Sequence, residues 1–260
     1  RQTIVLTGAS RGIGRCAALQ FAQAWARVCL IARRAVELLT LKAEIEAEGA
    51  KAWVYPADLS DPAAVDALAA QLLAEHARMD VLINNAARSI RRPITDSFER
   101  LHDYERTMQL NYFGAVRLTM KLLPRMIEQG RGHIIISTSM STMIPIPLFS
   151  AYLASKAALE SFGRSLAAEL GERGIAVTSL HFPMVRTPMT APTKVYKHLP
   201  MMSAEKAAGW MLDAVQRRPA RITTPLARAW GLATSAVPGA ATRASQLAFG
   251  ALDYLLKRRL

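Results

Sequence analysis

Cysteine, histidine and acidic side chains are scarce in this chain of 260 residues. It has 2 Cys, 5 His and 20 Asp or Glu, against 33 Lys or Arg, for a formal charge of +13. Cys16 and Cys29 form no CxxC spacing and have no histidine pattern beside them. That argues against a zinc site or any other metal centre, and it fits a reducing, cytoplasmic setting. A long apolar run is missing too. The longest uncharged stretch, 134–155, has 22 residues, but seven are Ser or Thr and two are Pro, which is wrong for a bilayer-spanning helix. No secretory signal precedes the first apolar run, and the chain opens on Arg1 rather than Met, so a domain excised from a longer polypeptide is expected. What is abundant is core-forming material: 51% of residues are apolar and 20% charged, which excludes a disordered or collagen-like chain and permits one large core.

The basic excess is uneven. Residues 186–260 hold 12 Lys or Arg against three acids, Glu205, Asp213 and Asp253. Such a surface suits a phosphorylated cofactor or thioester, an acidic carrier protein, or anionic lipid. Nucleic acid is not expected, because no binding motif or aromatic-interleaved basic stretch accompanies the charge.

Short apolar runs alternate with helix-period segments, the pattern of an α/β doubly wound parallel sheet with helices on both faces, a Rossmann fold. Seven strands are predicted at 3–7, 27–31, 52–55, 81–83, 133–137, 175–180 and 221–223, several without polar alternation, as buried parallel strands should be. Helices are predicted at 12–24, 36–48, 62–78, 98–129, 151–172 and 204–216. Asp61 before Pro62 is a helix start signal, and Gly49 and Gly130 stand where helices would stop. These elements define one α/β domain over 1–224. Within it, 186–203 carries Pro188, Pro192 and Pro200 without apolar period and is expected to be a lid over the active site. The remaining 225–260 reads as a basic amphipathic helical extension, with Ala244, Leu247, Ala248, Ala251, Leu252 and Leu255 at helix spacing before Lys257, Arg258 and Arg259.

Two motifs carry chemistry. Thr7-Gly8-Ala9-Ser10-Arg11-Gly12-Ile13-Gly14 lies between the first strand and the first helix. Glycines at 8, 12 and 14 let the backbone turn sharply, approach a pyrophosphate and aim helix N-terminal amides at it. The second is Tyr152-Leu153-Ala154-Ser155-Lys156, preceded by Ser139 at the end of an apolar strand. A four-residue spacing puts Tyr152 and Lys156 on one helix face. A phenol with a pKa of about 10 needs a nearby ammonium to exchange protons near neutrality. Taken alone the pair would be a surface pair; beside the glycine loop it reads as a site.

Together these residues resemble the classical short-chain dehydrogenase/reductase family over about 3–223. Residues 7–14 match its TGxxxGxG loop, Asn84-Asn85-Ala86-Ala87 its NNAG element with Ala87 for the last glycine, and Tyr152 with Lys156 its YxxxK. The resemblance implies Tyr152 as general acid in reduction, with Lys156 holding the nicotinamide ribose and depressing the tyrosine pKa. It implies Ser139 as orienter of the substrate carbonyl and Asn111 as anchor of a water leading from Lys156 to solvent. Pro183-Met184-Val185-Arg186-Thr187 resembles its PGxxxT element, with methionine for glycine and Thr187 positioned for the carboxamide. Cofactor contacts are thus expected from Gly8, Ser10, Arg11, Gly12, Ile13, Gly14, Arg33, Arg34, Asp58, Leu59, Asn85, Ala86, Tyr152, Lys156, Pro183, Val185 and Thr187. Where an NAD enzyme has an acid at the end of the second strand, this chain has Ala32, followed by Arg33 and Arg34. With Arg11 these cations are suited to a 2′-phosphate, so NADP(H) is expected. Asp58 resembles the acid that contacts the adenine amino group; capping a turn before Pro62 is its alternative.

Segments 192–196, 203–208 and 218–222 resemble, more loosely, the reductase domain of bacterial multidomain fatty acyl-CoA reductases. That likeness and the methionines 184, 189, 201 and 202 point to a lipid-like carbonyl, a fatty aldehyde or acyl-CoA. Two alternatives stay open: reduction of a 3-oxoacyl thioester on CoA or a carrier protein, and a non-catalytic NADP-binding module. The family resemblance implies a homo-oligomer, and the terminal helix is open to packing on its own domain, an oligomer contact or a peripheral membrane contact.

Overall fold

The structure, a computed structural model, describes residues 2–24, 26–193 and 199–257, the stretch 251–257 by its backbone alone. Seven strands form one parallel sheet: β1 (Thr3–Thr7), β2 (Arg27–Ala32), β3 (Lys51–Pro56), β4 (Val81–Asn84), β5 (Gly132–Ser139), β6 (Ile175–Phe182) and β7 (Arg221–Ile222), in the order β3-β2-β1-β4-β5-β6-β7. β1 is buried along its whole length and β5 along all but its last residue, which accounts for their unalternated apolar sequence. The helices are α1 (Gly12–Gln23), α2 (Ala35–Ala47), α3 (Pro62–Glu75), α4 (Leu101–Met108), α5 (Ala115–Glu128), α6 (Ser150–Leu170), α7 (Ala204–Arg217), α8 (Pro225–Ala236) and α9 (Pro238–Lys257).

The sheet divides two apolar clusters. On one face Phe21 of α1, Leu38 and Leu41 of α2 and Met211 of α7 pack together; on the other, Leu68 and Leu72 of α3, Leu118 and Leu122 of α5 and Leu159 of α6. The chain reverses its winding at β1, which has β2 on one side and β4 on the other, so the carboxyl ends of β1 and β4 open a crevice. α3 starts as its sequence dictates: Asp61 accepts from the Ala63 N–H at 2.9 Å, with Pro62 in the first turn.

One expectation is corrected. The long helix expected at 98–129 begins at Leu101, and a π-helical turn, Gln109–Gly114, divides it into α4 and α5. Gly114 lets that turn settle on the loop after β3, where any Cβ would strike the Leu59 carbonyl. The C-terminal extension is two helices, because Pro238 forces Val237 into a non-helical conformation between them. The side chains of Ala251, Leu252, Leu255 and Lys257, and residues Arg258 and Arg259, lie outside the described residues. No helix among the described residues is long and apolar enough to cross a membrane.

Candidate active site

A cleft of about 840 Å³ opens at the carboxyl ends of the strands. The glycine loop forms one wall. Gly8 and Gly12 have φ of +69° and +54°, and a Cβ on Gly14 would collide with the Gly8 carbonyl oxygen, so α1 approaches the loop closely only without a side chain there. Thr7 fixes this wall to the next. Its hydroxyl donates to the Ile83 carbonyl at 3.0 Å and accepts from the N–H groups of Asn85 and Ala86 at 2.9 and 3.0 Å. Asn85 Nδ2 donates back to the Thr7 carbonyl at 3.0 Å. Sequence reasoning gave Thr7 only a place in a motif; the structure makes it the joint between the two loops.

At the end of β2, Arg11, Arg33 and Arg34 line the cleft with Asp58 and Leu59. The three guanidinium groups are shared between two carboxylates. Arg11 and Arg34 both pair with Glu37, Arg34 at 3.0 Å, and Arg33 lies 3.9 Å from Asp58. Glu37 was not singled out from the sequence, although its place three residues after Arg34 on a helix is a signal for such a pair. Asp58 Oδ1 accepts from the Ser60 N–H at 2.9 Å and hydroxyl at 2.6 Å, so it caps the turn before Pro62. Burial raises its pKa, but the Ser60 bonds and the Arg33 cation outweigh that and hold it below the usual value.

At the other end stand Ser139, Tyr152 and Lys156. Ser139 ends β5, where its hydroxyl oxygen accepts from the Ser141 N–H at 3.2 Å. Lys156 is 2% exposed and donates to the Ser137 carbonyl at 2.7 Å. Burial pushes the Tyr152 phenol up to about 12, and it brings Lys156 down to about 8. Desolvation governs both groups, because the ammonium is turned toward β5. Asn111, in the π-helical turn, is fully buried. Its Oδ1 accepts from the Arg88 N–H at 2.8 Å, and its Nδ2 donates to the Arg88 carbonyl at 2.9 Å and to Ser155 Oγ at 2.9 Å. It splints the loop after β4 to α6, since Ser155 Oγ in turn donates to the Tyr152 carbonyl at 2.7 Å.

Ser10, Ile13, Ala86, Pro183, Val185 and Thr187 also line the cleft, and Gly14 closes the loop behind it. Ala87 and Met184, where the motifs would have glycine, are unstrained: the positive-φ residues other than glycine among those described are Leu148 and Arg218. Thr187, Pro188, Met189, Thr190, Pro192 and Thr193 supply the first part of the 186–203 loop to the cleft. Lys194, Val195 and Tyr196 lie outside the described residues. The loop is tied at its base, where Arg186 N–H donates to Met202 O and Met202 N–H to Met184 O, both at 2.9 Å. Ile146, Phe149, Leu153, Met184 and Met189 give the Tyr152 end apolar walls.

Comparison with known proteins agrees with this geometry. A family model described as short chain dehydrogenase matches residues 2–197. A protein of Acinetobacter baylyi named fatty acyl-CoA reductase is 50% identical over 224 residues, 86% of this chain and 76% of that protein. One of the same name from Mycobacterium tuberculosis is 47% identical over 225 residues, with the same shares covered. Among solved structures, a short-chain dehydrogenase from Sphingobium yanoikuyae in complex with NADPH superposes with a TM-score of 0.80 at 30% identity, covering 92% of this chain and 94% of that one. A glycine cradle at the switch point of a seven-stranded parallel sheet, a serine, tyrosine and lysine across the cleft from it, and these likenesses lead to one conclusion: the chain belongs to the short-chain dehydrogenase family.

Proposed function

We propose that this oxidoreductase is an NADP(H)-dependent reductase of a lipid-like carbonyl, a fatty aldehyde or a fatty acyl thioester. The observation that carries the reading is the single cleft joining three arginines at the end of β2 to Ser139, Tyr152 and Lys156. The residues fit such a cofactor. The glycine cradle leaves backbone open to a pyrophosphate, and no acid ends β2 to repel a 2′-phosphate there, although Arg11 and Arg34 must turn from Glu37 to meet one. Arg33, Arg34 and Arg11 would hold the phosphate, Asp58 and Leu59 the adenine edge, Asn85 and Ala86 the ribose, and Pro183, Val185 and Thr187 the nicotinamide side. When bound, a reduced nicotinamide supplies the hydride.

This chain's residues supply the rest. Tyr152, with a pKa near 12, keeps its proton at neutral pH and delivers it to the carbonyl oxygen as negative charge develops there. Ser139 donates a hydrogen bond to the same oxygen and fixes its position. Lys156 holds the ribose and supplies positive charge beside the phenol once drawn toward the cleft; Asn111 keeps the Arg88 loop and α6 in register. The described part of the loop, residues 187–193, and the methionine-lined walls exclude water and suit a flexible acyl chain.

The names of the two relatives and the apolar wall favour a fatty acyl substrate. A thioester reduced to an aldehyde also expels a thiol, so product identity decides between substrates. NADPH oxidation should be followed with hexadecanal, hexadecanoyl-CoA and a 3-oxoacyl-CoA, with products identified by mass. A long-chain alcohol or aldehyde supports the reading, whereas a 3-hydroxyacyl thioester with no thiol released would assign the protein to 3-oxoacyl reduction. NADPH binding with no turnover on any of the three would reduce it to a binding module.

A further inference from the structure

The turn that carries Ser139 is held from behind by residues of which two lie beyond the 2–197 match. Glu160, one helical turn past Lys156 on α6, is 8% exposed. Its Oε1 lies 3.3 Å from Arg221 Nη2 of β7 and 3.3 Å from His181 Nε2 of β6. Its Oε2 lies 3.2 Å from Thr142 Oγ1, and that hydroxyl is 2.8 Å from the Ser139 carbonyl oxygen. The Thr142 proton is therefore shared between the carboxylate and the backbone of Ser139. The next residue, Met143, packs against α8 where buried Gly231 leaves room: a Cβ there would come within 2.7 Å of Met143 Cε.

A buried carboxylate is costly unless both oxygens are satisfied, and here Oε1 accepts from Arg221 and Oε2 from Thr142, on two separate elements. Burial raises the Glu160 pKa, but His181, Arg221 and Thr142 together draw it below the usual value, so it is an anion at neutral pH. A fixed anion behind Thr142 fixes the rotamer of that hydroxyl, and with it the backbone from Ser139 to Thr142.

We propose that Glu160 is a positioning residue for Ser139, acting through Thr142, and that Arg221 of β7, beyond the matched residues 2–197, completes the clamp. Arg221 thereby acquires a role behind the active site. The inference rests on the proposed function only through the role of Ser139.

The test is steady-state kinetics with hexadecanal and NADPH on Thr142→Val, Arg221→Met, Arg221→Lys and the Thr142→Val/Arg221→Met double variant, with NADPH affinity by fluorescence titration. Misplacement of Ser139 should lower kcat about 10-fold in Thr142→Val and in Arg221→Met while NADPH affinity stays within about twofold. Because both act along one path, the double variant should lose no more than either single one. In Arg221→Met the carboxylate has lost a cation, so the acid limb of kcat moves to higher pH, and Arg221→Lys restores it. Wild-type kcat in Thr142→Val, an unmoved acid limb in Arg221→Met, or losses that multiply in the double variant would overturn the clamp. If Arg221→Met fails to bind NADPH and so has not folded, Thr142→Val, which removes a hydroxyl at constant shape, decides alone. Ser139→Ala separates the two ideas: full turnover there removes the role of Ser139 and the clamp with it, whereas a slow Ser139→Ala beside a normal Thr142→Val removes the clamp only.

Discussion

Replacing Lys156 by methionine should stabilise the protein at neutral pH while abolishing turnover. The side chain is 2% exposed, and its hydrogen bond runs to the uncharged carbonyl of Ser137 at 2.7 Å. Burial lowers its pKa from 10.5 to about 8. At 1.36 kcal/mol per pKa unit, holding the ammonium in the folded state at pH 7 costs about 3 kcal/mol. Methionine removes that cost and fills a similar volume, but it leaves the Ser137 carbonyl without its donor, a loss of about 1 kcal/mol. The net gain at pH 7 is about 2 kcal/mol. The pH dependence identifies the cause. Between pH 8 and 10.5 the unfolded chain binds the proton that the folded chain has released, so wild-type stability rises with pH across that window. The advantage of Lys156→Met should therefore shrink from about 2 kcal/mol at pH 7 to near zero at pH 9.5. Urea denaturation of both proteins at the two pH values measures it. A variant less stable than wild type at pH 7, or a difference that ignores pH, would refute the reasoning.

Other expectations follow from single contacts. Arg33→Asp should weaken NADPH by about 10- to 100-fold, the worth of one charged hydrogen bond, while NADH changes little; equal losses would remove the phosphate assignment. Gly14→Ala places a Cβ against the Gly8 carbonyl and should cost about 1–3 kcal/mol and most of the cofactor affinity, read by thermal melting with and without NADPH. Asp61→Ala removes the cap on the Ala63 N–H and should cost about 1 kcal/mol of stability with kcat untouched.

The sheet was legible because buried parallel strands leave an unmistakable apolar record: Thr3–Thr7 and Val81–Asn84 fall where the runs lie. The glycine loop was legible because backbone conformation and close approach demand residue types at fixed spacing. The π-helical turn around Asn111 was not, since one extra residue per turn leaves the apolar period of a short helix nearly unchanged. The break at Val237 was marked by Pro238, whose ring disfavours a helical conformation in the residue before it. The direction of Lys156 was hidden because a helix face places a Cα, whereas its ammonium is drawn by a carbonyl on a neighbouring strand. Thr142, Glu160, His181 and Arg221 could not be joined from the sequence, because only the folded sheet brings β6, β7 and α6 together.

The most direct measurement is the rate of NADPH oxidation with hexadecanal by Tyr152→Phe beside wild type, with NADPH affinity measured on both. Loss of the proton donor alone should reduce kcat by about 100-fold or more with cofactor binding intact. A phenylalanine variant that turns over at the wild-type rate would contradict the account.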